Sequence, residues 1–416
     1  MKTDTDDTGS SAGRSGIRDR AGGRLSPAKL PGPPLYRDPN LLVIFAVTLS
    51  AVLSVSSLTP AFPKIARALE ISPQSIGLLI SAFTVPGVLL TPVLGVLADR
   101  WGRKRILVPS LLLYGIAGGA CGLARDFEIL LGLRFLQGVG AASLGTLNVT
   151  LIGDLYSGTA RTAAMGYNSS VLSAGTASWP AIGGALATLA WYAPFFLPLL
   201  ALPVAFLVLL RLENPEPDGG QELRAYLAAV GRSLRSVRTI GLFAASTVTF
   251  ILIFGPYLAY LPVLIDRSFA ASSFTIGIIM SSASLASGLS ASQLGRVSRH
   301  ISEKTLVVLG YAAYVAVFLC IPLAGHLWLL LLPAVVFGFA NGLAIPSIFT
   351  LLVGLAPGRQ RAAFMSVNGM VLRLGQTLGP LLAGLLVAMA GTEAAFFGGA
   401  VLAAGMGVVA AATIRR

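Results

Sequence analysis

Two arginines, Arg134 and Arg373, stand inside long apolar stretches with no aspartate or glutamate within five residues on either side. A guanidinium in such surroundings costs several kcal/mol to keep there, so it needs acceptors, an anionic partner or a functional reason. Arg373 falls about ten residues into its apolar segment, roughly 15 Å deep at 1.5 Å per residue. Either it meets an anionic or polar solute, or backbone carbonyls or an acid such as Asp154 hold it. Arg134 either works inside the segment or snorkels outward toward Glu128. Gln137 and Gln376 lie one turn beyond the two arginines. Other polar or aromatic groups in apolar segments are Ser50, Ser54, Asn148, Asn168, Ser169, Trp179, Asn341 and Asn368. Each is a candidate for solute contact or for a hydrogen bond between helices, and the second role is the commoner one.

This is chemistry of recognition and charge placement, not of bond breaking. No P-loop and no H-E-x-x-H occurs. The two histidines, His300 and His326, and the two cysteines, Cys121 and Cys320, form no ligand cluster. No catalytic residue, metal or cofactor is expected.

The elements that must position these groups are membrane spans. Of 416 residues, 55% are hydrophobic and only 11% charged, with a mean hydropathy of +0.80. Soluble domains carry about 25% charged residues, too many for this chain to resemble one. The apolar runs approach the roughly 20 residues that cross a bilayer as helix. Twelve are expected, at about 41–63, 75–98, 106–124, 128–155, 163–189 and 192–211, then 240–265, 274–295, 305–323, 327–355, 363–389 and 394–414. The reading is an all-α membrane protein: a disordered tail at 1–40, a six-helix bundle at 41–211, a connector with an interfacial helix at 212–238, and a second six-helix bundle at 239–416.

The net charge of +13 raises the question of nucleic acid. The basic residues sit mostly in tails and connectors, however, and no aromatic-interleaved basic stripe occurs. With both termini inside, 24 Lys and Arg fall on the inner side. Only Lys64, Arg67, Arg125 and Arg267 fall outside, so the termini are expected in the cytoplasm. The seventeen acids go to the tail, the connector or the span ends, and none is expected near the midplane.

The two halves repeat at a constant offset of 200 residues. Ile76-Gly77 returns as Ile276-Gly277, Lys104 as Lys304, Arg161 as Arg361, Asn168 as Asn368, and Gly175, Pro180 and Gly184 as Gly375, Pro380 and Gly384. Six spans per half make a parallel repeat about an axis along the membrane normal.

The loop after the second span reads Gly95-Val-Leu-Ala-Asp99-Arg100-Trp-Gly102-Arg103-Lys104-Arg105. It resembles the signature loop of the major facilitator superfamily. Arg134-Phe-Leu-Gln137-Gly138 is similar to that family's second motif. Gly175-Thr-Ala-Ser-Trp179-Pro180-Ala-Ile-Gly183-Gly184 resembles the helix-packing motif of its twelve-span drug:proton antiporters, departing at Trp179, where those have glycine. The resemblance covers nearly everything after the tail. It implies a major facilitator fold and an inner gate built from Gly95, Asp99, Arg100, Gly102, Arg103, Lys104 and Asp154. In that gate Arg103 pairs with Asp154, and Asp99 faces the start of the eleventh span near Ala362 to Met365. It further implies proton-driven efflux of small amphiphilic compounds from the plasma membrane by a monomer. Its partners would be the small-molecule substrate, the lipid bilayer and protons, with no nucleic acid. The alternatives are a permease for an organic anion or polar solute and, more remotely, a non-transporting sensor. The absent midplane acid and Arg373 favour the permease.

Overall fold

Backbone polar groups within a hydrocarbon layer have to be satisfied inside their own segment, so apolar runs of this length can fold only as helices. In the computed structural model, which describes residues 35–213, 236–355 and 361–414, they do so twelve times, and no strand occurs among the described residues. The first span is Pro39–Ser56, extended past a short 3-10 turn by Phe62–Ala68. The second is Leu78–Trp101 and the third Arg103–Cys121. The fourth is split into Phe127–Ala141 and Leu144–Leu155. The fifth is Gly158–Leu189, and the sixth combines Ala193–Leu200 with Ala201–Arg211. The seventh runs through Val237–Leu252, a π-helical stretch Ile253–Tyr260 and Leu261–Phe269. Ser273–Val297, Glu303–Cys320, Leu331–Leu355, Arg361–Ala390 and Thr392–Thr413 complete the twelve.

Local chemistry sets the ends. Gly102, at φ 97°, takes the sharp turn between the second and third spans, a conformation closed to most side chains. Asp126 caps the fourth span by accepting from the Glu128 and Ile129 amides, and Ser272 and Ser302 cap the eighth and ninth. Ten of the twelve are apolar enough to cross a membrane on composition alone. The other two are the third, which begins Arg103-Lys104-Arg105, and the fifth, rich in Ser, Thr, Asn and Gly. The fifth packs against both the first span and the eighth, and Asn168, Gly175, Gly183 and Gly184 are buried in those contacts.

Within each half the spans pack on one another. Between halves the principal contacts are second against eleventh and fifth against eighth. A Cβ added at Gly77 would lie 2.9 Å from Pro380, and one at Gly277 would lie 3.0 Å from the Pro180 carbonyl carbon. These two contacts are the same contact under the 200-residue repeat. Eighteen residues on from each, about five helical turns and therefore on the same face, stand Gly95 and Gly295. A Cβ at either would meet nothing within 4 Å. Both seams are thus in close contact at the end remote from the termini, whereas at Gly95 and Gly295, toward the end that carries them, an added Cβ would meet no neighbour. The cross-half hydrogen bonds between described residues lie on the closed side. Ser81 donates to the Thr377 carbonyl at 2.9 Å, the Thr377 hydroxyl to Thr84 at 2.9 Å, and the Tyr260 hydroxyl to the Gln74 carbonyl at 2.8 Å. Arg67 and Asp266 form an ion pair of 2.7 Å there.

The expected spans change in two places. The fourth, expected unbroken at 128–155, breaks at Ala142–Ser143. The first span ends as a regular helix at Ser56, short of 63, because the chain turns at Thr59–Pro60. The expected disorder of the tail falls mainly on residues 1–34. The expected interfacial helix falls mainly on residues 214–235. Both lie outside the described residues.

Candidate functional site

Arg134 is 1% exposed, and no snorkel toward Glu128 exists. Its Nε donates to the Leu79 carbonyl at 3.1 Å, and its Nη1 to Ser54 Oγ at 2.9 Å and Gln137 Oε1 at 2.7 Å. The guanidinium also lies 4.5 Å from the Phe83 ring centroid. Neutral oxygens and a π face therefore hold the charge, with no carboxylate among these partners. Nη2 and the Gln137 amide nitrogen have no partner. Gly138 makes room for this cluster by letting the second span's backbone at Phe83 approach.

The asparagines are drawn into networks inside each half. Thr48 donates to Asn168 Oδ1 at 2.5 Å and receives a hydrogen bond from the Asn148 amide, tying the first, fourth and fifth spans. In the other half Ser246 donates to Asn368 Oδ1 at 2.9 Å. Tyr114 and Tyr314, again 200 residues apart, donate to the Ser50 carbonyl at 2.7 Å and to Asn341 Oδ1 at 2.6 Å. The tyrosines, Ser81, Thr84, Thr377 and the Arg67–Asp266 pair were not singled out from sequence. The repeat offset was the signal available for the tyrosines. Ser169 is exposed and bonds only within its own helix, to the Met165 carbonyl at 2.9 Å.

In the signature loop Arg103 bridges two acids: it pairs with Asp99, and its Nε lies 3.1 Å from Asp154 Oδ2. The bridge stays within the first half and joins the second, third and fourth spans. Lys104 donates to the Leu212 carbonyl at 2.9 Å, and Arg100 is exposed. The contact expected between Asp99 and the start of the eleventh span falls where, at 361–364, only the helical backbone is described.

Gly175, Gly183 and Gly184 all meet close neighbours, the last two against the backbones of Ser57 and Ser273. Trp179 is half-buried, and its buried indole N–H has no partner. Its repeat mate Gly379 lets the seventh and eleventh spans touch, 2.7 Å from the Ile251 carbonyl to a would-be Cβ. The indole fills that place between the first and fifth spans.

Arg373 is half-buried and lies across Gly87 of the second span, where a Cβ would sit 3.2 Å from the arginine Cδ. Its one hydrogen bond runs from Nη1 to Gln376 Oε1, at 3.4 Å. One turn farther from the termini, Thr377 makes the cross-half bonds of the closed seam. Two residues along, and so on the opposite side of the helix, Gly375 backs onto Phe250 and the Thr247 carbonyl of the seventh span.

These spans, seams and motifs match known proteins. The family model described as Major Facilitator Superfamily matches residues 44–269 and 258–416. The chain is 26% identical over 354 residues to Multidrug resistance protein 1 of Bacillus subtilis (strain 168), covering 83% of this chain and 89% of that one. It is 26% identical over 381 residues to Multidrug resistance protein 2 of the same organism, covering 88% and 94%. Among solved structures it resembles a bacterial homolog of the human lysosomal transporter Spinster in an inward-facing, unoccupied conformation. There the TM-score is 0.74 at 17% identity, over 92% of this chain and 96% of that one, a likeness of fold.

Proposed function

The chain belongs to the Major Facilitator Superfamily, and on that premise we propose that it exports small amphiphilic compounds by alternating access, driven by the proton gradient. The family is one of transporters, not enzymes, and the relatives similar over most of the chain are named for multidrug resistance. The observation that carries the direction is the likeness, over most of the chain, to relatives named for multidrug resistance; the seams, in close contact away from the termini, fit one state of the cycle. The excess of Lys and Arg in the connectors supports cytoplasmic termini in the plasma membrane. On that orientation the cleft opens to the cytoplasm, where an exporter takes up its load. The shared Gly–Pro seams support a rocking of one half against the other around the repeat axis.

Dye accumulation in cells stripped of their own efflux pumps tests this. Cells making the protein should retain less ethidium than cells without it, and a protonophore should abolish the difference. Equal retention, with the protein shown to be in the membrane, rejects export. A difference that survives the protonophore rejects the proton gradient as the drive.

A further inference from the structure

We infer that the exported compounds include organic acids, and that Arg373 receives their carboxylate at the closed tip of the cleft; the inference rests on the export reading above. Its basis is the contrast between the two intramembrane arginines. Arg134 is sealed, with three hydrogen bonds at 3.1 Å or less and a ring beneath it. Arg373 carries the same five N–H donors, yet has one bond at 3.4 Å and is only partly buried.

The position of Arg373 matters as much as its bonding. It crosses from one half to the other at Gly87, ten residues along the second span from the closed contact at Gly77. That is about 15 Å of a 27 Å path toward the open glycine at 95. In the other seam the equivalent contact is Ser173 on Gly288, 3.4 Å from a would-be Cβ. A serine closes that seam at the same depth, so packing alone does not require a guanidinium in this one.

The acids of the described residues lie in loops or near span ends, and Asp154, the one proposed from sequence as a partner for Arg373, is engaged by Arg103. A desolvated cation without a carboxylate favours an anion that arrives from solution, and a planar fork suits a carboxylate.

The test uses the full-length protein in nanodiscs and a matched pair of probes, 1-pyrenebutyrate and its primary amide, with empty discs as the blank. The wild-type protein should bind the acid about tenfold more tightly than the amide, as a charge-assisted bidentate pair implies. Arg373→Gln should bring that ratio near one, and Arg373→Lys should keep part of it. A wild-type ratio near one, or a ratio that Arg373→Gln leaves intact, overturns the inference. Ethidium efflux from cells separates the two readings. Ethidium export without an acid preference sinks the acid inference and leaves export standing. An acid preference that depends on Arg373, in a protein that moves neither dye, upholds the carboxylate site and sinks export.

Discussion

At the scale of single residues, a buried charge can be read two ways, and its partners decide between them. Removing Arg134 would leave Ser54, Gln137 and the Leu79 carbonyl desolvated without their donor. Arg134→Ala should therefore destabilise the protein by about 2–4 kcal/mol, seen as a lower melting temperature in detergent. Arg134→Lys should recover only part of this, because an ammonium cannot reach three acceptors on three spans with one planar fork. An unchanged melting temperature in Arg134→Ala would mean the cluster contributes nothing to stability. Trp179 gives a second check. Its unpartnered indole lies between the first and fifth spans, so substrate binding should change its fluorescence, and Trp179→Phe should remove that change. A signal that persists in Trp179→Phe belongs to another tryptophan. At this scale the sequence was partly legible. Arg103 and Asp154 could be paired from charge and span ends. The asparagines were legible only as polar groups in spans, because their partners Thr48, Ser246 and Tyr314 come from other helices.

At the scale of elements, the Gly–Pro contacts are the hinge points. Gly77→Val and Gly277→Val would each force three carbons against a neighbouring helix at the proline. Both should loosen the closed seam and shift the protein toward the opposite opening. The expected readout is faster labelling of a cysteine placed at position 81 by an impermeant maleimide, and the two variants should act alike because the repeat makes them one contact. If Gly77→Val accelerates labelling and Gly277→Val does not, the seams do not move together. The first and seventh spans are interrupted at corresponding places, one by a 3-10 turn at Thr59–Ala61, the other by π-helix at Ile253–Tyr260. The motif around Gly175 and Pro180 announced close packing in the sequence. It did not say against which helix, since small residues specify nearness and not partner.

At the scale of the molecule, the fold was legible from the apolar runs, the charge asymmetry and the 200-residue offset. The state was not, because both openings of such a transporter share one sequence and differ only in which contacts are made. The Arg67–Asp266 pair joins the halves on the closed face with the arginine 62% exposed. An exposed pair of this kind is worth at most about 1 kcal/mol. Asp266→Asn should therefore shift the closed-to-open balance by no more than about fivefold. The exchange Arg67→Asp with Asp266→Arg should restore it. Distances between spin labels on the turns at 69–72 and 270–272 report that balance. A shift left uncorrected by the exchange would show that the pair acts otherwise than by attraction.

The closed seam includes places where main chain lies on main chain, at Gly184 on Ser273, Gly277 on Pro180 and Gly384 on Gln74. At these points the surface has no side chain to vary. A blocking compound seated across it would press on positions where even an added methyl group collides with backbone. Resistance to such a compound by substitution at these glycines would come at the expense of the protein's own closure, which makes these points suited to durable inhibition.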